Sequence, residues 1–292
     1  MGPSNRSILD IVELVYYVPA LVLSLLVIKK HGFGRQLGWI YLSILSLLRI
    51  IGSSTGIAAN YKPSSGLTEC AIITQAVGLS ALLLAWYGMI KRVNDGLHSS
   101  QLAPKLLHFL HILILVGLVL AIYGGVKLFD SSSGSASNGL SYSKAAVIIL
   151  LFVLIALSGF TIVIFATRIR HALDGERQIV FACLASIPFL LIRIIYSIIV
   201  YFDWGSSVFS FLSTRNAAVI VQAIMSVAME FIVVTVYLAA GFAAPAIPRS
   251  IVQKDTTSAV SAQPAGSQGT PDAYPIGNYG YGQQTGVSAG GS

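Results

Sequence analysis

Four ionisable residues lie inside long apolar stretches of the chain: Glu13, Arg49, Arg193 and Glu230. In hydrocarbon such a residue costs on the order of 2.5–3.5 kcal/mol on insertion scales, so it faces a bundle interior or a cavity and meets a partner there. An arginine fork is suited to carboxylate or phosphate, which makes Arg49 and Arg193 candidates for holding a small anionic ligand. Gln75 and Gln222 could hydrogen-bond beside them, and Tyr16, Tyr17 and Tyr196 could supply aromatic walls. The competing reading is structural: Glu13 pairs with one arginine, and the glutamines satisfy what remains.

Seven apolar stretches position these side chains, at about 8–28, 36–57, 70–90, 106–129, 143–167, 179–202 and 216–241. About 20 residues of helix cross a 30 Å hydrocarbon core. The stretches lack the alternation of barrel strands, so the fold class is all-α: a polytopic membrane protein with seven transmembrane helices. Composition agrees, since 55% of the 292 residues are hydrophobic and 10% charged, where a soluble domain carries roughly a quarter charged. The net charge of +7 is carried largely by short basic clusters between apolar runs, which set membrane orientation rather than bind nucleic acid.

Lys29, Lys30 and Arg35, then Lys91, Arg92 and Lys105, then Arg168, Arg170 and Arg177 put the odd loops in the cytoplasm; the even loops, with Lys62, Lys127, Lys144 and Arg215, are poorer in base. The N-terminus is then outside and the C-terminus cytoplasmic, in a plasma or other secretory-pathway membrane. Two domains are expected: 1–245 spans the bilayer, and 246–292, rich in Gly, Ser, Gln, Pro and Tyr, is a disordered tail able to meet cytoplasmic proteins.

By depth, Glu13, Arg49, Arg193, Gln75 and Gln222 fall in the outer half, forming a polar layer among the first, second, third, sixth and seventh helices. Glu230 counts to the cytoplasmic half. The second and sixth helices share an Arg-Gln entry (Arg35-Gln36, Arg177-Gln178) and a Leu-Leu-Arg-Ile-Ile or Leu-Ile-Arg-Ile-Ile core. The helices after them share Gln75-Ala76 and Gln222-Ala223. This pattern reads as a 3+1+3 arrangement with a parallel repeat of helices one to three and five to seven, or as chance likeness among apolar segments.

Other chemistry finds less support. His31, His98, His108, His111 and His171 fall at helix ends or loops, and no carboxylate is fixed beside His108 and His111 by spacing, so neither a metal nor another cofactor is expected. No nucleophile–base pair converges, so no enzyme is expected. Cys70 and Cys183 lie at opposite faces, too far apart for a disulfide. Gly52 and Gly56 have the spacing of close helix packing. Pro19 and Pro188 sit within spans, and Asn5-Arg6-Ser7 forms a sequon hard against the first helix. The seventh span has no lysine for a retinal Schiff base. Ile90-Lys91-Arg92-Val93-Asn94 and Val234-Thr235-Val236-Tyr237 stand where rhodopsin-type receptors carry their signature motifs.

The stretches Glu13-Leu14-Val15-Tyr16-Tyr17-Val18-Pro19, Leu48-Arg49-Ile50-Ile51-Gly52, Gly78-Leu79-Ser80-Ala81-Leu82-Leu83-Leu84-Ala85, Pro188-Phe189-Leu190-Leu191-Ile192-Arg193-Ile194-Ile195-Tyr196-Ser197 and Glu230-Phe231-Ile232-Val233-Val234 resemble fungal seven-helix integral membrane proteins classed as a domain of unknown function. The likeness covers about 8–245 and implies a fungal source and no established activity. Two functions fit the residues: a receptor-like, ligand-sensing protein with an outer polar pocket, or a small-molecule or anion transporter built from the two triplets. An outer-half site suits the first and the repeat suits the second.

Overall fold

The computed structural model describes residues 5–31, 37–62, 64–96, 104–129, 135–168, 174–203 and 216–244. They form seven long helices: α1 (Asn5–His31), α2 (Leu37–Tyr61), α3 (Ser65–Gly96), α4 (Pro104–Phe129), α5 (Ser135–Arg168), α6 (Asp174–Phe202) and α7 (Asn216–Ala243). Each is long and apolar enough to cross a bilayer, and no strand occurs among the described residues. The seven-span, all-helical fold is therefore shown. The tail from 246, His98, His171, Arg35, Arg170 and Arg215 lie outside the described residues.

Burial shows an inverted amphipathic pattern. On α1 the exposed side chains are Ile11, Val12, Val15, Val18, Val22 and Leu25, while Ser7, Glu13, Tyr17 and Ser24 are buried. On α2, Ile44, Leu47 and Ile51 point outward, and Ser46, Arg49 and Ser53 point in. In lipid the apolar face needs no shelter, so the polar stripe turns to the neighbouring helices.

Cross-helix contacts fix the directions. α1 and α2 run antiparallel, since Ser24 Oγ meets Ser43 Oγ at 2.8 Å and Glu13 meets Ser53 farther along. α6 and α7 are antiparallel as well, with Ser186 opposite Tyr237 and Arg193 opposite Ser226. α1 and α7 run the same way, because Asn5 Nδ2 donates to Asn216 Oδ1 at 2.6 Å and Lys30 Nζ donates to the Phe242 carbonyl at 2.6 Å. Asn5 of the sequon is held in this contact.

Small residues set the closest approaches. A Cβ on Gly88 of α3 would run into the backbone of Gly38 and Leu37 on α2. Gly52 faces Thr74 of α3 and Gly56 faces Asp10 of α1, so the expected packing role of this pair is met by two different neighbours. Pro19 and Pro188 lie within α1 and α6, on exposed faces. Cys70 and Cys183 are free, and Cys183 is buried.

Candidate functional site

The polar stripe of α1 runs Arg6, Asp10, Glu13, Tyr17, spaced four, three and four residues apart, so all four project from one face. That of α2 runs Arg49, Ser53, Gly56, Asn60. Gln75 and Gly78 face them from α3, and Arg193 comes from α6. Gln222, Ser226 and Glu230 come from α7, where residues 223–228 form a π-helical segment. Its i→i+5 bonding underwinds the helix, so residues four apart drift less around the axis than in an α-helix. Gln222, Ser226 and Glu230 are all buried, along one side of the α7 midsection.

Glu230 is the centre of the site. Arg49 Nε donates to its Oε1 at 2.6 Å and Arg49 Nη2 pairs with Oε2, making a bidentate fork. Arg193 Nη2 reaches Oε2 at 2.7 Å, and the Tyr17 hydroxyl donates to Oε1 at 2.5 Å. The carboxylate thus accepts three hydrogen bonds, two from Arg49 and one from Tyr17, beside its ion pair with Arg193. Arg49 Nη1 also donates to Gln75 Oε1, Gln75 Nε2 to Ser226 Oγ at 3.4 Å, and Arg193 Nη1 to Ser226 Oγ at 2.7 Å and to its carbonyl at 2.9 Å. A closed ring results: Arg49, Gln75, Ser226, Arg193, Glu230. Gly78 leaves the room for both guanidinium groups, since a Cβ there would clash with Arg49 and stand 3.1 Å from Arg193 Nη2.

The structure departs from the sequence expectations at three points. Glu230, assigned by residue counting to the cytoplasmic half, instead shares one layer with Arg49 and Arg193. Helical side chains lean toward the N-terminus of their own helix. Arg49 and Arg193 on α2 and α6 therefore lean one way and Glu230 on the oppositely directed α7 leans the other, which brings long side chains together from different Cα levels. Glu13 does not pair with an arginine; its Oε2 accepts from Ser53 Oγ at 3.1 Å, while both arginines go to Glu230. Tyr16 does not enter the layer. It stacks on Phe231 at 3.8 Å between centroids, and its hydroxyl meets the Phe231 carbonyl and Thr235 Oγ1, each at 2.8 Å. Its neighbour Tyr17 makes the contact with Glu230.

The remaining site residues named from sequence fall around this ring. Gln222 is buried and lines a narrow neck with Glu13 and Arg49. Tyr196 is buried on α6, within electrostatic range of Arg6 and Arg193. Asp10, Arg6, Ser53, Ser226 and Gly78 complete the constellation and were not among the expected site residues. The α1 spacing carried the signal for Arg6 and Asp10, whereas Ser226 depends on the π-helical segment.

Two cavities open toward the end of the bundle where α1, α3 and α7 begin. A vestibule of about 180 Å³ is lined by Arg6, Ser7, Asp10, Gly56, Asn60 and Thr68. It shares Arg6, Asp10, Gly56 and Ala71 with the neck of about 20 Å³, where Glu13, Ser53, Gln222 and Arg49 are met. Arg6 Nη1 is buried there without a hydrogen-bond partner. A third, smaller void of about 10 Å³ lies on the far side of the ring, beside Arg193 and Ser226.

Fold and site together define a seven-span, all-helical membrane protein built around a buried Arg–Glu–Arg network. The chain belongs to the family described as Domain of unknown function (DUF7702), whose model matches residues 4–247 and so takes in all seven helices. No curated protein matches the chain at a significant level.

Proposed function

We propose that the protein is a receptor-like, ligand-sensing membrane protein of fungal origin, in which a small polar molecule entering the vestibule biases the Arg49–Glu230–Arg193 network. The observation that carries this reading is a polar cavity that opens at one end of the bundle and stops at an ion network tied to α1, α2, α3, α6 and α7. The basic residues Lys29, Lys30, Lys91, Arg92, Lys105 and Arg177 all lie at the opposite end, which favours an outward-facing vestibule.

Both arginine forks in the ring are engaged by Glu230, so an anionic group would meet Arg6 first. Asp10 and Glu13 stand ready for an amine. A small zwitterion fits that set, and about 180 Å³ is close to the size of an engineered cavity that takes benzene. Anything that alters the charge around Glu13 acts on Arg49 next to it, and the ring passes the change to α6 and α7. A switch of this kind needs a ligand with different affinity for two arrangements.

The test is a thermal-shift screen of the protein in lipid nanodiscs against small zwitterions, amines and carboxylates. A stabilising ligand should lose its effect in Asp10→Asn and Arg6→Gln. The same ligand should show no net flux into proteoliposomes. Carrier-like flux would replace this reading with that of a transporter, which the convergence of the similarly placed Arg49 and Arg193 on one carboxylate also favours. The absence of any stabilising ligand across the three classes would remove the vestibule as a sensing site.

A further inference from the structure

The seam between α1 and α7 carries a groove that neither the ring nor the vestibule uses. It measures about 280 Å³, with Pro19, Ala20 and Leu23 on the α1 side and Leu238, Ala239 and Phe242 on the α7 side. Ala20 and Ala239 present single methyl groups to the seam, and the space they leave is the groove. Pro19, Leu23, Ala239 and Phe242 are exposed, so it opens onto the hydrocarbon around the bundle. Tyr16 and Thr235 supply the remaining lining and its only hydroxyls. These meet each other at 2.8 Å, and Tyr16 also donates to the Phe231 carbonyl at 2.8 Å. Both are therefore already paired, and the wall suits a hydrocarbon chain.

A charge marks one end of the groove. The Phe242 carbonyl accepts from Lys30 Nζ at 2.6 Å, and the Ala244 carbonyl at 3.2 Å. The Lys30 ammonium is thereby placed beside the groove, at the end of the bundle where α1 and α7 both finish. Its side chain leans toward the start of α1, which is toward the groove. Both partners are neutral carbonyls at a helix C-terminus, and an ammonium has three protons to give. A proton and the charge are left for an anion, with the exposed Lys29 next in the chain. Length agrees with this. From Tyr16 to Lys30 is about 21 Å of helix, shortened by that lean, and one leaflet's hydrocarbon is about 15 Å deep. An acyl chain whose headgroup sits at Lys30 ends near Tyr16. A sterol would leave the Lys30 charge unmatched, and a zwitterionic lipid brings a cation of its own to the same place.

We propose that the groove is the site of one anionic glycerophospholipid, its acyl chain along Ala20 and Ala239 and its phosphate on Lys30. Bound there, the lipid closes the α1–α7 seam between the Tyr16–Phe231 stack and the Lys30 contact. The site lies on the lipid-facing side of the bundle and stands whether or not a ligand enters the vestibule.

The experiment is native mass spectrometry of the full-length protein, released from detergent micelles that hold equal amounts of phosphatidylglycerol and phosphatidylcholine with identical chains. One phosphatidylglycerol should be retained per chain, in about fivefold preference to phosphatidylcholine, the weight of one lysine near an anionic surface. Ala239→Leu fills the groove from an exposed position and should abolish the retained lipid. Lys30→Gln keeps a donor for the Phe242 carbonyl and should keep the lipid while losing the preference; Lys30→Arg should behave as wild type. Equal retention of the two lipids, retention of added cholesterol in preference to both, or a retained lipid unaffected by Ala239→Leu overturns the proposal.

Discussion

The two ends of the helical bundle handle buried polar groups in different proportions. Toward the starts of α1, α3 and α7, polar side chains find partners on other helices: Tyr17, Arg49 and Arg193 on Glu230, Ser53 on Glu13, and Asn60 on Ser7. Toward the other end the interior is Trp39, Leu42, Leu82, Leu83, Trp86, Met89 and Ile90, all buried. Ser46, Ser80 and Ser186 there donate to carbonyls of their own helices, and Ser186 also meets the Tyr237 hydroxyl of α7 at 3.0 Å. This drier end is held largely by shape, with Gly88 against Gly38, and its last turn buries Arg92, Asn94 and Glu176, with Arg92 5.0 Å over the Trp39 ring. The polar end is held by charge, which has discrete partners and can be rearranged. In lipid no hydrophobic drive holds helices together, so both kinds of contact are needed.

Substitutions at the two ends should separate these roles. The largest effect is expected for Glu230→Gln, which leaves two buried guanidinium groups without a counter-charge. Breaking such a pair costs about 3–5 kcal/mol, to be read as a loss of melting temperature and of folded yield in nanodiscs. A stability close to wild type would show that the ring is not what joins α2, α6 and α7.

At the dry end, Gly88→Ala should cost about 1–3 kcal/mol by forcing α2 and α3 apart, whereas Gly66→Ala, which meets open space, should be neutral. Equal effects of the two changes in chemical denaturation would end the argument that this end is held by close approach.

Tyr17→Phe removes one of the three hydrogen bonds to Glu230 and should cost about 1–2 kcal/mol, while Tyr16→Phe should cost less. Reversed magnitudes in the same assay would place the ring's α1 contact on the wrong tyrosine. The smallest effect is expected for Ser53→Ala, about 0.6 kcal/mol in stability, but with a changed response to any vestibule ligand because Glu13 loses the hydroxyl that donates to it. An unchanged ligand response would detach Glu13 from sensing.

Much of the polar end was legible in the sequence because hydrocarbon makes ionisable residues conspicuous. Glu13, Arg49, Arg193, Gln75 and Gln222 stand out in apolar runs, and all are drawn to five helices around one layer. Tyr16 and Tyr17 could not be told apart by type; the helical phase relative to Glu13 decides between them, and Tyr17 follows it at four residues. Arg6 and Asp10 sit on the same stripe, yet near the helix start they look like ordinary interfacial charges. Ser226 and Gly78 gave no compositional signal, since their roles depend on where two guanidinium groups end up.

The sequence by itself determined seven membrane spans, because about 20 apolar residues have one stable conformation in a bilayer, the hydrogen-bonded helix. It also determined that its buried charges must find partners. Only the tertiary structure decided which partners. Pairing depends on helix direction, on the lean of long side chains and on the underwound turn of α7, and these put Glu230, not Glu13, between the two arginines.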